Sequence, residues 1–167
     1  MRDQADHRLR ARSAGIAMIL LVIVAFAPSS AEAARHLAGP ARLTRVQVGT
    51  DAWQLFKATN LSRGRFGIGE LTLNREMSQV ARRHSQAMAD AGTLFHTSDV
   101  DVYLHGIDWH VWGENVGYTP GDVASVQQAF MQSPPHRENI LNDAFRHVAI
   151  GAVRVHGTLW VTVFFYA

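Results

Sequence analysis

Val148-Ala149-Ile150-Gly151-Ala152-Val153-Arg154-Val155 and Leu159-Trp160-Val161-Thr162-Val163-Phe164-Phe165-Tyr166 lie almost at the end of the chain. β-Branched and aromatic residues dominate both runs, and His156-Gly157-Thr158 between them supplies a turn, so the pair reads as a β-hairpin. A strand with one wet face alternates apolar and polar side chains. These two are apolar at odd and even positions alike, which predicts a sheet covered on both faces. The cover has to come from upstream, where the apolar spacing is helical. The expected fold class is therefore α+β, a three-layer α-β-α sandwich with a small antiparallel sheet between helices.

The strongest helical pattern opens after Leu71-Thr72-Leu73, with Asn74 as N-cap and Glu76 in the first turn. Met77, Val80, Ala81, His84, Ala87, Met88 and Ala91 form its apolar stripe, and Gly92 stops it. His84, inside that stripe, reads as a core histidine satisfied by one backbone or side-chain partner. A helix over 48–60 is expected from Ala52, Leu55, Phe56 and Thr59 on one face, and another from the cap Asp122 to about Gln132 with Val123, Val126, Ala129 and Phe130 inward. Pro134-Pro135 ends it. Arg63-Gly64-Arg65-Phe66-Gly67-Ile68-Gly69 reads as a turn-rich loop, without the leading strand or the Lys-Ser/Thr of a phosphate loop. Residues 95–120 read as loop. His105-x-x-Asp108-x-His110 within them matches no metal motif and is taken as surface polarity. Asn60-Leu61-Ser62 has the form of a glycosylation sequon.

The first 33 residues have the order of a secretory signal: arginines at 2, 8, 10 and 12, an apolar run from Ile16 to Ala27, then Ala31-Glu32-Ala33. That run of 12 residues is short of the roughly 20 that a spanning helix needs, so cleavage and export are expected rather than anchoring. Residues 34–47 read as a linker and 48–167 as the one domain. After Ala33 the chain carries 12 basic against 11 acidic side chains, which gives no electrostatic case for nucleic acid. There is no cysteine. Thiol nucleophiles and thiolate-bound metals are excluded, and the fold must rest on its core.

Several stretches in order resemble the CAP superfamily (cysteine-rich secretory, antigen-5 and pathogenesis-related proteins), in particular its short bacterial secreted SCP-like members. They are His84-Ser85 within its helix, Phe95-His96, Gly113-Glu114-Asn115-Val116, His136-Arg137-x-Asn139-Ile140-Leu141, and the closing hairpin. The resemblance covers about residues 48–167. It implies an α-β-α sandwich with a central cleft and a tetrad of two histidines and two acids. His96, Glu114 and His136 match three of the four. The fourth, a glutamate, should fall near Ser133 if Phe130 stands for the family's tryptophan, and no acid is there; Glu138 lies in a variable position.

Two functions follow from these residues. His96 and His136 are candidate metal ligands, zinc being the metal suited to two imidazoles, with Glu114 orienting one ring or acting as base; this gives a zinc-dependent hydrolase or peptidase as the alternative. The preferred expectation is a module that binds a ligand (lipid, sterol, metal or protein) without established catalysis, supported by Phe95, Tyr103, Trp109, Trp112 and Tyr118 in the loops beside the cleft. No H-E-x-x-H, G-x-S-x-G or cysteine nucleophile is present. Asn115 and Asn139 read as amides bridging neighbouring loop backbones.

Overall fold

The computed structural model describes residues 44–167, with side chains from residue 49 onward. The expected signal segment, and the linker as far as residue 43, lie outside the described residues. The elements are α1 (Thr44–Arg65), β1 (Thr72–Leu73), α2 (Arg75–Ala91), α3 (Asp101–Leu104), β2 (Trp112–Thr119), α4 (Val123–Gln132), α5 (Pro134–Leu141), β3 (His147–Val155) and β4 (Thr158–Tyr166).

The hairpin expected from the two apolar runs is β3–β4, antiparallel from His147↔Tyr166 to Val155↔Thr158. Its turn has two residues, His156 and Gly157, with φ of 49° and 81°, the left-handed pair that matches the twist of a tight hairpin. Both faces are covered. Val161, Val163 and Phe165 pack with Leu55 of α1, Val126 and Phe130 of α4, and Ile140 of α5. Phe164 and Tyr166, of opposite parity, pack with Met77 and Ala81 of α2 and with Tyr103 and Leu104 of α3. Gly151 lets α2 lie directly on β3: a Cβ there would stand 2.1 Å from the Ala81 carbonyl carbon.

The α+β sandwich stands, but the sheet is mixed. Its order is β1-β3-β4-β2, with the two-residue β1 parallel to β3. The eight residues of β2 lie where a loop was expected. Two glycines and a Glu-Asn pair give Trp112–Thr119 little strand propensity, and register against β4 over its whole length overrides it. Pro134-Pro135 ends α4 and also starts α5, occupying its first turn, where a missing N–H costs nothing. α1 extends beyond 48–60 at both ends and takes in part of the expected Arg63–Gly69 loop. The cause is Arg63, which is buried at 1% exposure. Its guanidinium donates to the carbonyls of Gly69 (2.7 Å), Ile140 (2.9 Å), Asn142 (2.8 Å) and Phe145 (3.3 Å), holding the end of α1 against the end of α5.

Polar residues take places in the core that the apolar pattern gives to alanine. Ala87, Ala91 and Ala129 are exposed, whereas Ser85 and Gln127 are buried. Ser85 Oγ donates to Ala81 O and accepts from the Thr162 hydroxyl, and Gln127 Nε2 donates to Ser62 Oγ, so each enters the interior with its hydrogen bonds made. The sequon's Asn60 is buried as well, its amide exchanging hydrogen bonds with both backbone groups of Leu71.

Candidate functional site

Strand β2 is an edge of the sheet, and consecutive residues on a strand face opposite sides. Glu114 and Asn115 are such a pair, both buried, and each organises a different group of side chains.

On the α5 side, Asn115 Nδ2 donates to His136 O (2.9 Å), while Asn139 Nδ2 donates to Asn115 Oδ1 (2.8 Å) and to Glu114 O (3.3 Å). Gly113 makes room for this bridge, since a Cβ there would stand 2.7 Å from Asn139 Oδ1. The amides thus tie α5 to the edge strand. The His136 ring lies against Phe130, with centroids 5.0 Å apart. Burial pushes its imidazole below the usual histidine range, and His96 adds a smaller repulsion.

On the α2 side, Glu114 Oε2 accepts from His96 Nδ1 (2.8 Å) and from the Thr97 N–H (2.9 Å). Because Nδ1 is the donor in that bond, His96 Nε2 is left for another partner. Glu114 Oε1 is buried with no hydrogen-bond partner among the described residues, and His84 Nε2 stands 3.9 Å from it. His84 Nε2 is instead 2.9 Å from Phe95 O; a carbonyl only accepts, so the ring nitrogen donates. The Tyr103 hydroxyl is likewise buried and unpartnered among the described residues. Burial and then the nearby Glu114 raise its pKa well above the ordinary tyrosine value, keeping it a neutral donor. Tyr103 and Trp112 both stack on Phe164, the residue facing Glu114 across the strand pair.

Between α2 and residues 95–103 a concavity of about 310 Å³ opens, lined by Arg83, His84, Phe95, His96, Val102 and Tyr103 among others. Phe95 and Val102 are 39% and 56% exposed. Of the three site residues read from the sequence, His96 lines this concavity, Glu114 lies buried behind it, and His136 stands on α5 against Phe130, its ring close enough to His96 to feel its charge. Glu114 stands on a strand and His136 on a helix, so only His96 occupies an irregular segment. His84 and Tyr103 are the additional residues. A histidine in an apolar helical stripe just ahead of Phe95-His96 is a signal for the first; nothing in the sequence marks Tyr103.

Catalytic zinc takes three protein ligands and an open position. Among the described residues no three His, Cys, Asp or Glu side chains are grouped so as to hold a metal ion. Ser133, where the resemblance placed an acid, has a buried hydroxyl without a partner among the described residues. These residues do not make a catalytic zinc set. His105 and His110 are exposed, as surface residues would be.

Residues 56–165 match the family model described as the cysteine-rich secretory protein family, CAP. The chain is 31% identical over 117 residues to the uncharacterized protein YkwD of Bacillus subtilis, covering 66% of this chain and 45% of that protein. It is 27% identical over 115 residues to the membrane protein YlbC of the same organism, covering 65% and 33%. It therefore spans less than half the length of either relative. Among solved structures, an extracellular SCP-domain protein of Bacillus anthracis superposes with a TM-score of 0.68 at 25% identity, over 77% of this chain and 45% of that one. An outer surface protein of Borrelia burgdorferi gives 0.62 at 17% identity, over 70% and 92%, a likeness of fold alone. Among the described residues no helix is long and apolar enough to cross a membrane.

Proposed function

Because the chain belongs to the cysteine-rich secretory protein (CAP) family, we propose that it is an exported binding module for an amphipathic lipid rather than a hydrolase. The observation that carries this reading is the concavity itself: exposed Phe95 and Val102 beside a hydrogen-bonded imidazole. A lipid hydroxyl, or the protonated carboxyl of a fatty acid, would donate to His96 Nε2, which the Glu114 bond leaves free, and the hydrocarbon would cover Phe95 and Val102. Pockets for small ligands combine an apolar lining with a few fixed polar groups in this way. Export rests on the signal-like order of residues 1–33 and on the extracellular and outer-surface descriptions of structurally similar proteins.

The test is calorimetric titration of the full chain with palmitate and, separately, with cholesterol, zinc and a casein peptide mixture. Binding of a lipid probe that weakens about tenfold in His96→Ala, the worth of one hydrogen bond, and survives in His136→Ala supports the proposal. Zinc binding lost in both histidine variants, with no lipid binding, would replace it with a metal site. Peptide turnover abolished by Glu114→Gln would replace it with the hydrolase.

A further inference from the structure

The segment that presents His96 has little hold of its own. Residues 94–98 form no backbone–backbone hydrogen bond among the described residues; Thr97 Oγ1 makes a local turn contact to Asp99 O. Leu94 packs at its start against the cluster of Met88, Val116, Val153 and Trp160; residues 95–97 are fixed by two side chains on different elements. Glu114 of β2 takes the His96 ring and the Thr97 N–H. His84 of α2 donates to Phe95 O at 2.9 Å, and its ring meets the Phe95 ring edge-on, with centroids 5.1 Å apart at 74°. Three consecutive residues are thereby pinned, the first by His84 and the next two by Glu114.

We propose that His84 is the positioning residue of the cleft: its Nε2–H, held on the Phe95 carbonyl, sets the His96 ring against Glu114 and keeps Phe95 in the wall. The inference rests on the reading of His96 as the ligand-facing group, but its cause is local. Without that donor, a segment with no backbone ladder is free to rotate about residue 95, and the His96–Glu114 bond breaks first. Glu114 Oε1 stands 3.9 Å from the same nitrogen, beyond hydrogen-bond reach, so the ring lies beside the carboxylate that takes His96. The one proton of Nε2–H lies on the Phe95 carbonyl; a Nδ1–H tautomer would leave that carbonyl without its donor.

The test uses the ligand-free full chain labelled with nitrogen-15. In the parent, two-bond imidazole spectra should show His84 protonated at Nε2, and the His96 Nδ1–H should appear as a downfield, slowly exchanging proton. A Nδ1–H tautomer at His84 overturns the proposal without any variant. His84→Phe keeps the ring and its edge contact but removes the donor, and should abolish the His96 signal or speed its exchange at least tenfold. His84→Gln restores a donor and should retain the signal. An unchanged His96 proton in His84→Phe, or its disappearance in a folded His84→Gln, refutes the positioning role. Because no lipid is present, failure of palmitate to bind the parent would remove the lipid reading and leave this result standing.

Discussion

The two sides of β2 are built from neighbouring residues yet are opposite in kind. On the α5 side the amides of Asn115 and Asn139 bond each other and the His136 and Glu114 carbonyls. These amides are satisfied within the protein, although the Ser133 hydroxyl at the start of α5 is buried without a partner among the described residues. On the α2 side Glu114 Oε1 and the Tyr103 hydroxyl are buried without partners among the described residues, and a concavity opens beside them. Unsatisfied buried polar groups cost stability, and what sets the α2 side apart is that its two lie beside an open concavity. The contrast separates the Asn115–Asn139 brace from the Glu114–His96 site: His136 gives its backbone carbonyl to the brace, while its ring is close enough to His96 to feel its charge.

The brace should respond to substitution as structure does. Arg63, whose guanidinium ties α1 and the 66–71 segment to the end of α5, makes no ion pair with a carboxylate among the described residues; its bonds are to four carbonyls. Arg63→Met should cost about 4 kcal/mol by urea unfolding, because removing the charged bonds leaves buried acceptors unpaired. A loss below about 1 kcal/mol would show that the α1–α5 junction is held elsewhere. Asn115→Leu, similar in volume, removes the side-chain bond to His136 O and one of the two acceptors of Asn139 Nδ2, and should cost about 3 kcal/mol with an unchanged denaturant slope.

The site should respond differently. Glu114→Gln keeps an acceptor for Thr97 or His96 and removes a buried charge, so stability should change by no more than about 1 kcal/mol, the two effects offsetting. Lipid binding should nevertheless fall, since the His96 ring loses its ionic partner. If Glu114→Gln and Asn115→Leu destabilise equally, the division between brace and site fails.

The smallest effect is a titration. His136 has a pKa below its ordinary value of 6.5, through burial first and His96 second. The sign follows directly: below about pH 6.5 the unfolded chain takes a proton that the folded chain refuses, so this group lowers stability as pH falls through that window and has no effect above it. His136→Phe should flatten that part of the stability profile. In His96→Gln the His136 pKa, followed by proton NMR, should rise part of the way only, because burial remains.

Much of this is legible in the sequence. The hairpin and the capped helix α2 follow from dense, regular patterns: Asn74 Oδ1 accepts from the Met77 N–H and Gly92 has φ of 64°. The Glu114–His96 pairing and the amide bridges agree with the segments singled out by resemblance. What stays illegible depends on tertiary partners. Gly113-Glu114-Asn115 has poor strand propensity until β4 supplies its register. Arg63 reads as a loop cation until four carbonyls converge on it. His84 reads as a core histidine with one partner, and it does have one, Phe95 O; what no sequence pattern shows is that this partner carries the ligand-facing segment.

The most direct test of the division is a nitrogen-15 chemical-shift map of the full chain titrated with palmitate. Shifts concentrated at residues 80–84 and 95–103, with residues 136–141 still, are the predicted result. Shifts centred on residues 136–141, or none anywhere at saturating palmitate, would contradict it.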